Sequence, residues 1–264
     1  SLYFNDKGRE RGLAVELARD WERYLNTKYA KVLGKRPLTV YVAPATRDKL
    51  LPWLAEGLSD VSIGNLTVTD ERLKAVDFVT GDEGKRMLDE IVVTGPLSPE
   101  LRTLEDLAGR KVHVRRASSY HESLVALNER LARESRPPIE LVPVPESLED
   151  EDMMDMLNAG LLQYIVVDDW KARMWAQVLP KITPRYDLVL RDDARTGWAI
   201  RKDSPRLKAE IADFFQNWAL KNGVAEYRMN ASMKRVRELK DPTGTTEWRR
   251  FRETLAIFEK YGAR

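Results

Sequence analysis

Apolar and polar positions alternate between two periods along this chain. From Gly12 to about Asn26, Leu13, Leu17, Trp21 and Leu25 recur at helical spacing with acids between them, which predicts a helix with one face on a core. Leu38-Thr-Val-Tyr-Val-Ala43 alternates as a strand, and Thr46 opens a helix carrying Leu50, Leu51, Trp53 and Leu54. Val61 and Ile63 then mark a short buried strand that runs into a polar turn at Gly64, Asn65 and Thr67, and Thr69 opens the next helix with acids in its first turn. Further on, strands are predicted at Glu90–Thr94, Ile139–Val144 and Gln163–Val167, with helices at Ser119–Arg133, Glu146–Ala159 and Trp170–Val178. Strand and helix in alternation are the rhythm of an α/β fold with parallel sheets.

Two places interrupt that rhythm. Gly95-Pro96 ends a strand, and Leu104 to Val114 starts the alternation afresh; Asp187–Leu190 followed by Thr196–Arg201 reads as a return to the first sheet. Two crossings predict a discontinuous lobe 1, residues 1–94 and 191–264, around a lobe 2 at 95–190. From Pro205 the pattern is helical, at 207–220, 225–239 and 246–261, with Asp241-Pro-Thr-Gly244 separating the latter two. Basic residues in this tail sit at helical spacing and fit a solvated face as well as an anion-binding one.

Composition narrows the class. A chain of 264 residues, 43% hydrophobic and 33% charged, has the balance of a folded globular protein. Its 44 basic and 42 acidic residues leave a net charge of only +2, so the overall balance does not call for nucleic acid. The absence of cysteine excludes disulfides and thiolate-ligated metal. No apolar run reaches the ~18 residues of a membrane span, and no signal peptide is visible. The abrupt start at Ser1-Leu2-Tyr3-Phe4 leads us to expect a signal sequence and the first strand of lobe 1 upstream.

The candidate chemistry centres on Asn65-Leu-Thr67-Val-Thr69-Asp-Glu-Arg72, where hydroxyls, a helix N-terminus and a guanidinium converge at a strand's C-terminal end. This stretch, with Ala75-Val-Asp-Phe78 after it, resembles the signature of the family 3 extracytoplasmic solute-binding proteins. Tyr3-Phe4 with Lys7-Gly8 and Arg11-Gly12, Glu90 to Pro96, and the tail Glu247-Trp-Arg-Arg through Tyr261 resemble more narrowly the membrane-bound lytic transglycosylase F family. The resemblance implies a two-lobed, type II periplasmic-binding-protein-like fold, each lobe a mainly parallel sheet flanked by helices, with a C-terminal helical extension. It implies hinge closure on a ligand whose carboxylate is bound by the signature, Asn65, Thr67 and Arg72, with Tyr3 as an aromatic at the cleft mouth.

In lobe 2 the resemblance implies two more contacts. Ala117-Ser118-Ser119 matches a Gly-Thr/Ser-Thr/Ser segment that meets the ligand's carboxylate or backbone, with Ala117 in place of the glycine. Asp168 matches an aspartate that pairs with the ligand's amino group, Asp169 being the adjacent helix cap. The residues by themselves also fit plainer roles: Ser119 and Glu122 have the spacing of a capping box, both aspartates can cap a helix, and Arg72 or Asp168 can sit in a structural ion pair. Arg72 and Asp168 together would clamp opposite ends of a zwitterion.

Catalytic motifs are not seen. His113 and His121 lack metal-ligand spacing, and no nucleophile elbow, phosphate-binding loop or dinucleotide fingerprint occurs. The reading is therefore a non-enzymatic domain without metal or cofactor, and the resemblance implies that it binds an amino acid, stem peptide or muropeptide. By the resemblance it regulates a transglycosylase domain following Arg264, in the periplasm, with the membrane reached only through regions outside this chain. In that reading the helix around Trp248 to Tyr261 carries the lobe state to the catalytic domain. The alternative is a stand-alone amino-acid receptor of an ABC transporter.

Overall fold

A computed structural model of the chain describes residues 4–6, 9–81, 87–219, 221 and 223–238. In chain order, β1 (Phe4–Asp6) and β2 (Arg9–Arg11) are followed by α1 (Leu13–Lys28), α2 (Ala30–Leu33), α3 (Arg47–Ala55), β3 (Val61–Thr67), α4 (Asp70–Ala75) and β4 (Val76–Val79). Next come β5 (Leu88–Thr94), β6 (Lys111–Val114), α5 (Ser119–Arg133), β7 (Glu140–Pro143), α6 (Asp150–Asn158), β8 (Tyr164–Asp168), α7 (Asp169–Trp175) and β9 (Thr183–Ala194). The described chain ends with β10 (Thr196–Arg201), α8 (Pro205–Asp213), a π-helical turn at Phe214–Ala219 and α9 (Val224–Glu238). Tyr3 and the expected helix at 246–261 lie outside the described residues. The described residues divide into two compact units, the first from those within 1–87 and 194–232, the second from those within 88–193 and 233–238.

Unit 1 holds the sheet β3-β10-β4, with β10 antiparallel to both neighbours. The second half of the α1 stripe lands as its spacing predicts: Trp21 and Leu25, with Tyr24 beside them, are buried with Trp198, Ile200 and Phe214, while Leu17 is only partly buried against the same core. Trp198 is the hub, meeting Trp21 edge-on at 5.7 Å and Phe215 at 5.1 Å, geometries that aromatic quadrupoles favour. The π-helical turn widens the chain just where Phe214 and Phe215 both reach Trp198.

The segment Leu38–Ala43 is not a strand. Side chains of α1 replace a ladder: Asn26 accepts from the Leu38 N–H (2.8 Å) and donates to its carbonyl (2.8 Å), while Glu22 accepts from the Val40 N–H (2.6 Å) and Arg19 donates to its carbonyl (2.7 Å). The alternation itself survives, since Leu38 and Val40 pack on the core and Tyr41 is 92% exposed. β4 is a strand that the motif's apolar residues did not announce.

In unit 2, β5 is the centre of the sheet β8-β5-β9 and runs antiparallel to β8, while β6 and β7 pair in parallel. Its core gathers Ile91 and Val93 of β5, Ile165 and Val167 of β8, and Leu124, Leu127 and Leu131 of α5. Mainly parallel sheets are therefore a correction: β6 with β7 is the parallel pair among the described pairings. The reason is insertion. β3 and β4 do run in one direction across α4, as strand–helix–strand alternation predicts, but β10 enters between them from the other end.

β10 also shapes β3. Gly197 faces Leu66 while Ala199 faces Ser62, so Ile63, Gly64 and Asn65 bulge opposite Trp198, and Asn65 takes φ 52°. Val61 and Ile63 are only partly buried, and Ser62, Gly64, Leu66 and Thr67 are the buried positions of a strand expected to bury Val61 and Ile63. Such closeness needs glycine: a Cβ on Gly197 would lie 2.7 Å from the Val79 carbonyl oxygen. Gly197→Ala is expected to lower unfolding stability by about 1–3 kcal/mol, measured by chemical denaturation; an unchanged midpoint would show that β4 yields freely.

Candidate ligand-binding site

In unit 1 the sequence signature folds into one local device. Thr69 caps α4, its hydroxyl accepting from the Arg72 N–H at 3.2 Å. This fixes the turn so that the Arg72 side chain folds back under β3 and donates from Nη1 to the Thr67 carbonyl at 3.0 Å. Arg72 is only 8% exposed, and Thr67 and Thr69 beside it are buried. Asn65 sits at the bulge, in the left-handed conformation that asparagine tolerates better than most residues. The structure thus brings Thr67, Thr69 and Arg72 together, with Asn65 two residues back on the same strand.

In unit 2 the expected residues are embedded in buried charge. Asp168, 1% exposed, ends β8, and its Oδ2 receives Lys171 at 2.8 Å. Lys171 also donates to Asp150 at 2.6 Å and lies 3.3 Å from the Tyr120 hydroxyl. Asp150 in turn accepts from Arg115, whose other nitrogen donates to the Leu148 carbonyl at 2.6 Å. Tyr120 completes the network by donating to Asp150 at 3.2 Å. Asp168 begins α7 without a side-chain cap bond, so helix capping is not what holds it. Asp169 accepts from Arg173 at 3.1 Å on the exposed side.

The serine turn caps one residue earlier than the spacing of Ser119 and Glu122 suggested. Ser118 is the N-cap of α5: its hydroxyl donates to the Arg115 carbonyl at 2.7 Å and accepts from the His121 N–H at 3.2 Å. Ser119, buried, turns instead to Glu90, whose carboxylate it hydrogen-bonds.

Glu90 is a site residue that the motif reasoning passed over. It is 0% exposed and stands directly opposite Asp168 across the β5–β8 pair. Ser123 donates to its Oε2, and Arg191 Nε approaches the same oxygen at 3.4 Å. Burial pushes the Glu90 carboxyl above its usual range; the bonds from Ser119 and Ser123 and the nearby Arg191 oppose that, and Asp168 adds to it. A signal was present: Glu90 shares one face of its strand with the apolar Leu88 and Val92, so an acid occupies a core phase.

Among the described residues no group of acids and histidines could hold a metal ion, and no helix is long and apolar enough to cross a membrane.

The model of the bacterial extracellular solute-binding proteins, family 3, matches residues 1–227. The chain belongs to this family. A curated relative, the membrane-bound lytic murein transglycosylase F of Saccharophagus degradans, is 27% identical over 161 residues, which are 60% of this chain and 29% of that protein. The chain thus spans under a third of that relative's length.

Solved structures show the type II fold of periplasmic solute-binding proteins. An ancestral arginine-binding protein bound to arginine superposes with a TM-score of 0.67 at 21% identity, covering 87% of this chain and 92% of that one. AbpA of Streptococcus pneumoniae, an amino acid ABC transporter substrate-binding protein bound to L-arginine, gives 0.64 at 20% identity over 89% of both chains. The family is extracellular by description, which gives this chain an extracytoplasmic setting.

Within the family fold, Glu90 makes a testable contribution to stability. Its folded-state pKa is raised, so the native state holds the proton more tightly than the unfolded chain. The group's contribution is then fully present below the ordinary glutamate value of about 4.3 and is lost as pH rises through the folded value. Glu90→Gln, uncharged throughout, should unfold at a higher temperature than wild type at pH 7, with the gap closing towards pH 4. A gap that stayed constant across that range would show that charge burial is not its cause.

Proposed function

We propose that this chain is the ligand-binding regulatory domain of a peptidoglycan lytic transglycosylase and binds a small zwitterion, an amino acid or a cell-wall stem peptide or muropeptide. The observation that carries the binding reading is Arg72: a buried guanidinium, steered by a capped helix start and bonded to the Thr67 carbonyl, is set up to grip a carboxylate. As ligand-binding residues we assign Tyr3, Asn65, Thr67, Arg72, Ser118, Ser119 and Asp168. Asp168 serves the ligand's amino group while keeping its bond to Lys171. The link to peptidoglycan is supported by the Saccharophagus degradans relative. In this reading the chain does not itself turn over substrate, and a transglycosylase domain follows it in an outer-membrane-associated, periplasmic parent.

A second reading, a receptor delivering a free amino acid to an ABC transporter, is supported by the likeness in fold to AbpA, an amino acid ABC transporter substrate-binding protein. Calorimetric titration with stem peptides and, separately, with free amino acids distinguishes the two. The regulatory reading expects binding of stem peptide or muropeptide, and the receptor reading expects free amino acids alone. In either case Arg72→Ala should weaken binding about a hundredfold, with the unfolding temperature recorded alongside. Unaltered affinity in a folded Arg72→Ala variant would remove Arg72 as the anchor.

A further inference from the structure

Unit 2 carries an ammonium of its own beside the aspartate assigned to the ligand's amino group. Lys171, 7% exposed, stands three residues beyond Asp168. An ammonium has three protons to give. Three oxygens surround this one: Asp150 Oδ2 at 2.6 Å, Asp168 Oδ2 at 2.8 Å and the Tyr120 hydroxyl at 3.3 Å. The rings of Trp170 and Tyr120, centred 5.5 and 5.9 Å from the same nitrogen, add the attraction of aromatic faces for a cation.

The charges around it are already matched. Asp150 is bonded by Lys171 and by Arg115, and Arg115 also lies 3.7 Å from the half-buried Glu149. Glu90, next to Asp168 across the strand pair, is answered by Arg191 and by serine hydroxyls of α5. Asp168 itself is only 1% exposed. An incoming ammonium therefore gains this carboxylate only as Lys171 gives up part of its hold there. Lys171 can yield because its shorter bond runs to Asp150, so it keeps an acid when Asp168 turns to the ligand. A buried lysine left with no acid would be far less stable. What the ligand's ammonium wins at Asp168 is reduced by what Lys171 loses.

We propose that Lys171 is a specificity-determining residue, an internal ammonium that competes with the ligand's for Asp168, so that unit 2 rewards a free amino group only weakly and accepts ligands whose amino group is acylated. This rests on the ligand-binding reading above and deepens it. Lys171 acts through Asp168, and Asp150 sets how strongly it competes by holding its other side. The ligand class this favours is an amino acid or peptide with its first nitrogen in an amide, as in a stem peptide still joined to its sugar.

The test uses the 264-residue chain and calorimetric titration with two pairs of probes. These are L-arginine against Nα-acetyl-L-arginine, and a stem tripeptide with a free against an N-acetylated first residue. The quantity read is the affinity for the free member divided by that for the acetylated one. In wild type this ratio should stay within about tenfold. Lys171→Met removes the competitor and should raise it about tenfold. Asp150→Asn takes away the acid that draws Lys171 aside and should lower it about threefold. A merely structural Lys171 would weaken both members of a pair alike and leave the ratio intact. Should Lys171→Met fail to fold, Lys171→Gln, uncharged but still a donor, is expected to move the ratio the same way. A ratio that rises without Lys171 and falls in Asp150→Asn supports the assignment. A ratio that does not rise in a folded Lys171 variant, or a wild type that prefers the free member by much more than about tenfold, overturns it and leaves the binding reading standing. A wild type that binds no probe overturns both.

Discussion

Unit 2 keeps Arg115, Lys171, Glu90, Asp150 and Asp168 away from water, and the rest of that unit is arranged so that no such charge is left without an opposite one. A buried charge that loses its partner costs several kcal/mol, on the order of 3–5. The antiparallel register of β5 and β8 is what creates the demand, because it sets Glu90 and Asp168 side by side. Two carboxylates at that spacing repel unless each is answered separately. Lys171, three residues along α7, answers Asp168; Arg191 on β9 and the hydroxyls of α5 answer Glu90. Three elements are thereby pinned to one strand pair by polar contacts, over a core that fixes the same elements by apolar ones.

Unit 1 solves a smaller problem with local means. Its one deeply placed cation of the signature, Arg72, is steered by the cap at Thr69 and the carbonyl of Thr67, both within five residues of it. The bulge at Ile63–Asn65 lets β3 carry this device at its end while still pairing with β10. A side chain fixed this way loses little rotamer freedom on meeting a ligand, which is the physical content of preorganisation. The two units therefore differ in kind: one offers a local donor, the other a network whose buried charges are already paired.

Parts of the site were legible because they depend on neighbours in sequence. Thr69 as a helix cap followed from its position before two acids and a helical run, and the structure has it. The serine cap slipped by one residue because Ser118 and Ser119 are chemically alike, and the Arg115 carbonyl that selects Ser118 is set by the turn after β6. Glu90 went unread because an acid beside an aspartate at a strand's start looks like a solvated edge. Only the pairing with β8 makes it a buried neighbour of Asp168. Leu38–Ala43 kept its in-and-out alternation but lost its ladder to Asn26, Glu22 and Arg19, side chains whose reach a linear pattern does not encode.

By itself the sequence determined the α/β class, the placing of nearly every helix among the described residues, and the signature around Arg72, since each rests on periodicity or on contacts within a few residues. The tertiary structure alone decided which strands are neighbours, and with that the insertion of β10 between β3 and β4 and the meeting of Glu90 with Asp168. Strand order is a long-range property, fixed by how apolar faces pack in three dimensions. A strand shows which of its residues alternate, but not which partner will lie against them.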